Sequence, residues 1–515
     1  MKKLMFTLEP RFWASYRYIK DNTAKVFALA SIAIFGFYFA LSLPLGFAAD
    51  EPTHAYRAYQ FTQGDLLPRI VDVPKSHLND PGKRVGGEIS TGFAAVAQLS
   101  GDKVADIKPG YVYPVSFLKE HRWDKLENGP RAYMHFENTV LYSPANYVPQ
   151  TITFAIARIL NIPAVATLFL GRFSVVIFSL ICAWLIFRFL PKQWHWPLAF
   201  VLTIPTSLTL GGSLSPDPII NGVTGVLAAY TVYLGLQIHR KQPITNRQYL
   251  ALGILIFWTC LLKPPYIIMI GFPFLAVAVP GLIHKLVSIR KLLLVFLPGL
   301  ITGVAWNAMI SAYTVPYRNV ALIDPVVPDA HAQMQYVAHH PLAFFAATLK
   351  TIPDTYTGVM VGAHGLVGQH FIPAFYGIML GLVWFALLAV IVVILPINIK
   401  PSRIIRGASG LTGLGLFGAV YFLIYLSWSA VGAPIVDGIQ GRYLIPLLPL
   451  LIFIGLGLWR GITNKWVINT VLAGMVCVTI MGASLAAQDN AKSNYNNAYN
   501  TLLIPKAVLG QLLKP

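Results

Sequence analysis

Residues 25–57 read KVFALASIAIFGFYFALSLPLGFAADEPTHAYR, an apolar run that ends in two adjacent acids. About 20 apolar residues cross the hydrocarbon core of a bilayer, so 25–47 is a transmembrane span by length alone. Asp50 and Glu51 stand at its far end, followed by Pro52, His54 and Arg57. Carboxylates beside lipid are costly unless they face water, protein or ligand, which makes this pair a candidate for function. The same residues read as a helix start, with an acid at the N-cap and Pro just inside it. One acid would suffice for a cap, so capping leaves the second unexplained.

Working outward, 56% of the 515 residues are hydrophobic and 11% are charged. That composition, with a mean hydropathy of +0.61, predicts an all-α polytopic membrane protein. The net charge of +19 is spread over short connectors instead of forming one stripe, which argues against nucleic acid. Cys182, Cys260 and Cys477 each lie inside an apolar run and offer neither a disulfide pair nor a metal spacing. The stretch after Lys2, Lys3, Arg11, Arg17, Lys20 and Lys25 lacks a small-residue cleavage site and is expected to stay as a signal anchor.

Hydropathy places spans near 25–47, 163–188, 197–213, 217–238, 248–262, 265–283, 291–311, 375–396, 408–428, 443–460 and 465–485, about eleven helices. With a cytoplasmic N-terminus (1–24), the inner connectors carry Arg188 and Lys192, Arg240, Lys241 and Arg247, Lys285, Arg290 and Lys291, Lys400, Arg403 and Arg406, then Arg460 and Lys465. Each short inner loop is basic, as the positive-inside rule requires. The same threading puts Asp50 and Glu51 outside, with segments 48–162, 312–374 and 429–442 and a polar tail, 486–515. One break stays open: Lys263-Pro264-Pro265 either separates two helices or kinks a longer one.

Segments 48–162 and 312–374 are too long for mere connectors and are expected to build the site, with short helices of their own. The first closes on Tyr142-Ser143-Pro144-Ala145-Asn146-Tyr147-Val148-Pro149-Gln150, aromatic and polar. Within the second, Tyr336 to Leu349 has helical periodicity and suggests a helix lying on the membrane surface. Trp194, Trp196 and Trp428 fit the interfacial belt. No internal repeat stands out, which disfavours a secondary transporter.

Further polar residues fall at the outer helix ends: Asp217 in Ser215-Pro216-Asp217-Pro218, Lys263, and Arg442 in Gln440-Gly441-Arg442-Tyr443. Arg442 runs against the charge bias of the short loops and calls for an anion, and its planar fork suits phosphate. Lys263 adds a point charge, and Arg172 lies deeper, inside the second span. Blander readings stand beside these. Arg442 can snorkel to headgroups, Lys263 can anchor at the interface, Asp217 can cap a helix, Arg172 can pair structurally, and His54 can be a surface residue. Asp50, Glu51 and His54 leave room for a divalent metal without forming a metal-site spacing, so no metal ligand is assigned and no cofactor is certain. Phosphate loops, dinucleotide glycine motifs and a Ser nucleophile elbow are not evident.

Helix one ending in Asp50-Glu51-Pro52-x-His54-x-Tyr56-Arg57-Ala58-Tyr59-Gln60 with Gly64, Tyr142-Ser143-Pro144 through Pro149-Gln150, Gly171-Arg172, Ser215-Pro216-Asp217 with Asn221, Lys263-Pro264-Pro265-Tyr266, and Gln440-Gly441-Arg442-Tyr443 with Pro446 occur in order. In these motifs the chain resembles the bacterial membrane proteins of domain-of-unknown-function family 2142, over about residues 25–485. That family is similar to the GT-C glycosyltransferases, which take a sugar from a polyprenyl-phosphate carrier and act on the outer face. The resemblance implies a GT-C-like transmembrane domain over 25–485 and a catalytic acid or acid pair in the first outer loop, mapping onto Asp50 and Glu51. It carries no role for the later motifs.

The expectation is therefore a bacterial inner-membrane glycosyltransferase. It would move a sugar from a polyprenyl-phosphate donor, with inversion, to an extracytoplasmic glycan, lipid or protein acceptor. Asp50 and Glu51 are the catalytic candidates, His54, Arg57 and Asp217 support them, and Arg442, Lys263 and Arg172 are the candidates for the donor phosphate. Two alternatives remain: a transporter or flippase of a lipid-linked or anionic solute, and an O-antigen-type polymerase or ligase.

Overall fold

The computed structural model describes residues 21–43, 45, 46, 48, 50–75, 80–97, 120–127, 129–315, 328–360 and 374–495. Most of the basic segment 1–24, the end of the tail 486–515, and parts of segments 48–162 and 312–374 lie outside the described residues.

The first apolar run forms α1 (Thr23–Ser42), and the acids open α2 (Glu51–Thr62), which Gly64 leaves in the left-handed conformation at φ +84°. A three-stranded antiparallel sheet comes next, in the order β1 (Arg69–Asp72), β2 (Lys83–Ser90), β3 (Arg131–His135), with α3 (Thr91–Ala97) leaving β2. Gly86 pairs with both Arg69 and His135, and a Cβ there would sit 2.0 Å from the Met134 carbonyl oxygen. The expectation for this segment included only short helices, so the sheet is an addition to it. After α4 (Val148–Ile159) come α5 (Ala164–Phe189), α6 (His195–Leu202), α7 (Pro205–Gly211), α8 (Asp217–His239) and α9 (Asn246–Cys260).

Pro264–Ile283 forms α10, a span broken into 3-10, α and π turns. Lys263 is extended (ψ 141°) between α9 and α10, so Lys263-Pro264-Pro265 separates two elements and does not kink one. The chain continues through α11 (Ile289–Ser311), α12 (Ala330–His339), α13 (Pro341–Met360), α14 (Ala374–Ile394), α15 (Arg403–Trp428), a 3-10 turn over Gly441–Leu447, α16 (Leu448–Gly455) and α17 (Lys465–Tyr495). The periodic stretch Tyr336 to Leu349 is helical but divided at His340, because Pro341 starts a new helix.

Among the described residues seven helices are long and apolar enough to cross a membrane, where about eleven spans were expected; the expected spans 375–396 and 443–460 fall on shorter apolar helices, Met379–Ile394 and Gly441–Gly455. The expected span 197–213 is instead two short helices, divided at Thr203 and Ile204 ahead of Pro205. Helix α8 lies innermost, with 78% of its apolar window buried against 28% for α11. It packs on α5 and α9, while α1 packs on α5, α6 and α7, α9 on α11, and α14 on α17. The main core gathers around α8 and α10. A second core under α2 holds Tyr59, Phe93, Tyr147 and Phe154, and fastens the sheet-bearing segment to the end of α5. The three cysteines are free.

Candidate functional site

Asp50 precedes α2 with φ +58°, a left-handed conformation that short polar side chains tolerate better than most. It occupies the N-cap position, yet its carboxylate makes no capping bond and turns elsewhere. Asn138 Nδ2 donates to Asp50 Oδ1 at 2.8 Å, and Arg442 Nη2 lies 3.7 Å from Oδ2. At 38% side-chain exposure, Asp50 stands at the mouth of the site.

Glu51, one residue on, points the opposite way and is buried. Arg172 grips it with Nε to Oε1 at 2.8 Å and Nη2 to Oε2 at 2.6 Å. The Gly46 and Leu214 amides each donate to the same carboxylate at 3.1 Å. Arg172 spends its Nη1 on the carbonyls of Ala40 at 3.1 Å and Leu43 at 2.6 Å. Charge and hydrogen bonds are met on both sides, as a buried ion pair needs. Glu51, expected among the catalytic acids, and Arg172, expected at the donor phosphate, thus form a clamp that holds α1, α2, α5 and the turn before α8 together.

The expected cluster at the helix ends does form around Asp217. That residue is the first of α8, and its amide donates to Ser215 Oγ at 3.2 Å, so the serine caps the turn and the carboxylate serves other groups. Lys263 Nζ donates to Asp217 Oδ1 at 2.8 Å, and Arg442 Nε lies 3.4 Å from Oδ2. All three side chains are buried. The Lys263 ammonium also lies 4.8 Å from the centre of the Tyr142 ring and 5.1 Å from that of Tyr443, a cation–π enclosure. Its charge is committed to Asp217. Arg442 Nε donates to Gln440 Oε1 at 2.8 Å, while Nη1 is buried with no hydrogen-bond partner among the described residues.

His54 and Arg57 shape the wall between these groups. His54 is buried, its Nδ1 lies 2.8 Å from the Tyr147 hydroxyl, and its ring stacks on Tyr142. Burial pushes its pKa down to about 3, which leaves the imidazole neutral. Arg57 reaches the carbonyls of Leu66 at 3.2 Å and of Val140 and Tyr142 at 3.4 Å each. It therefore positions the Tyr142 backbone from within the fold. Ser143 Oγ and Asn146 Nδ2 donate to the Leu261 carbonyl at 2.5 and 3.1 Å, which ties the aromatic motif to the Lys263 turn.

Two acids thus face two cations around an uncharged histidine. Among the described residues, no group of three or more His, Cys, Asp or Glu is arranged to hold a metal ion. Beside the cluster runs an apolar slot lined by Ile32, Gly36, Val176, Pro218, Asn221 and Ile445. Two of its lining residues, Pro218 and Ile445, directly follow or lie within a turn of Asp217 and Arg442 in the chain. The sequence reading missed Asn138 and this slot. Asn138 sits in an aperiodic stretch 88 residues from its partner and carries no local signal.

The chain belongs to the family described as "Predicted membrane protein (DUF2142)", which matches residues 33–451. The matched region begins within α1 and ends within α16, so it contains all the residues of the cluster. It is integral to the membrane. No curated protein matches the chain.

Proposed function

Taking that membership as the premise, we propose that the protein is a GT-C-type glycosyltransferase with its site on the outer face of a bacterial inner membrane. Its donor is a sugar on polyprenyl phosphate and its acceptor an extracytoplasmic glycan, lipid or protein. The observation that carries this reading is the pairing of a half-exposed acid, Asp50, with a buried, under-coordinated arginine, Arg442, beside an apolar slot. A lipid-linked sugar phosphate has the three matching parts: a chain for the slot, an anion for the guanidinium, and a reacting carbon near the mouth. The transmembrane domain is taken as one unit over 25–485, with the basic residues of the short connectors facing the cytoplasm.

In this mechanism the acceptor hydroxyl oxygen attacks the anomeric carbon from the face opposite the phosphate. Its proton passes to the Asp50 carboxylate, while the bond between the anomeric carbon and the phosphate oxygen breaks and leaves its electron pair on the polyprenyl phosphate. Arg442 stabilises that growing charge, held in place by Gln440 and Asp217. Lys263 acts through Asp217, fixing the carboxylate that orients Arg442. A single displacement inverts the anomeric centre.

A second reading has one observation in its favour. Asp217 and Lys263 are buried charges at the interrupted joints before α8 and α10, and transporters place solutes at such broken helices. Radiolabelled sugar transfer in lipid nanodiscs separates the two. Covalent transfer to an acceptor supports the enzyme; movement of intact donor or anion across proteoliposomes without transfer supports the transporter.

A further inference from the structure

The two arginines of the site are built differently, and the difference has a use. Arg172 meets Glu51 at 2.6 and 2.8 Å, the spacing of a charge-assisted fork. Arg442, equally enclosed at 3% side-chain exposure, meets its carboxylates only at 3.4 and 3.7 Å and leaves Nη1 without a hydrogen-bond partner among the described residues. Asp217 Oδ2, which faces it, also lacks a hydrogen-bond partner there. A buried guanidinium held this loosely has unmet donors that a tetrahedral oxyanion can satisfy. At the carboxylate nearest the mouth, Asp50, Asn138 holds Oδ1 at 2.8 Å and Arg442 faces Oδ2 at the longer distance.

We propose that Asp50 is a placeholder for the donor phosphate at Arg442, and that the phosphate, on binding, takes the guanidinium and turns Asp50 Oδ2 over to the acceptor hydroxyl. Asn138 keeps Oδ1, so the carboxylate changes partner without leaving its position. Asn138 is thus a positioning residue. The exchange makes the base fully effective only once the donor is seated, and it imposes an order: donor first, then acceptor deprotonation. This inference rests on the donor reading above and adds to it the competition between substrate and base for one arginine.

The test is a double-mutant cycle on binding of sugar-free polyprenyl phosphate to the full-length protein in nanodiscs of neutral lipid. Asp50→Asn keeps the Asn138 contact and removes the competing charge. It should bind the lipid phosphate tighter than wild type by roughly 1.4- to fivefold, the range set by a partly exposed ion pair. In an Arg442→Lys background, which keeps the charge and loses the fork, that gain should vanish. An equal gain in both backgrounds would mean that only general repulsion was removed, and would overturn the exchange. Wild-type affinity in Asp50→Asn, with binding still dependent on Arg442, would also overturn it and leave the donor reading standing. Failure of all four proteins to bind would remove both. Should Arg442→Lys fold poorly, infrared difference spectra on adding the lipid phosphate decide. A carboxylate band that shifts in wild type and is missing in Asp50→Asn is expected, and identical spectra contradict the proposal.

Discussion

At the scale of single residues, the proposed mechanism gives the adjacent acids different work, chemistry to Asp50 and stability to Glu51. Glu51→Gln leaves the Arg172 guanidinium buried without its counter-charge, and breaking such a pair costs about 3–5 kcal/mol. The thermal midpoint of the purified protein should fall sharply for Glu51→Gln and stay near wild type for Asp50→Asn. Transfer should instead drop about 10²- to 10⁴-fold in Asp50→Asn, the worth of a general base. A large loss of midpoint in the Asp50 variant would reverse the assignment. His54 gives a pH signature. Its pKa is lowered from 6.5 to about 3, so its contribution is complete above pH 6.5 and is lost as pH falls toward 3, where the unfolded chain takes a proton that the folded site refuses. Each pH unit in that window costs up to about 1.4 kcal/mol. A His54→Gln variant should therefore lose less stability than wild type between pH 6.5 and about 4.5; parallel pH profiles would refute a buried neutral histidine.

At the scale of elements, the site depends on how closely α7 and α1 approach. A Cβ at Gly212 would lie 2.6 Å from the Ala40 amide nitrogen, in the turn whose Ala40 and Leu43 carbonyls receive Arg172. Gly211, its neighbour, has nothing within 4 Å of the same position. Gly212→Ala should destabilise by about 1–3 kcal/mol through overpacking, and Gly211→Ala should be close to neutral; thermal denaturation that ranks the two equally would contradict this packing. The elements also show what sequence makes legible. The apolar run Thr23–Ser42, the acid-Pro start of α2 and the stop at Lys263-Pro264-Pro265 are local signals, because length, capping chemistry and the missing amide of proline act within a few residues. The Glu51–Arg172 clamp joins residues 121 apart, and nothing near either one distinguishes it from a catalytic acid and a phosphate-binding arginine. The sheet was hidden for another reason. β1 is exposed or half-exposed along its length and β2 carries Gly86-Gly87, so neither shows the alternation that marks a strand.

At the scale of the whole molecule, the proposed threading puts the charge cluster and the connector between α14 and α15 on opposite sides of the membrane. Asp65 and Lys400 are both exposed. Cysteines placed there should react with an impermeant maleimide from the outer side at residue 65 and only after permeabilisation at residue 400. Labelling of both from one side would break the threading. Family membership, the apolar helices and the cluster Asp50, Asp217, Lys263 and Arg442 meet in the proposed account, in which the apolar slot takes the donor's chain and the protein presents its phosphate to an acid at the mouth. The most direct test is radiolabel transfer from a panel of polyprenyl-phosphate sugars by the purified protein in nanodiscs, wild type beside Asp50→Asn. The account predicts transfer from at least one donor by wild type and its loss in the variant despite retained donor binding; transfer undiminished by Asp50→Asn, or no donor bound by wild type, would contradict it.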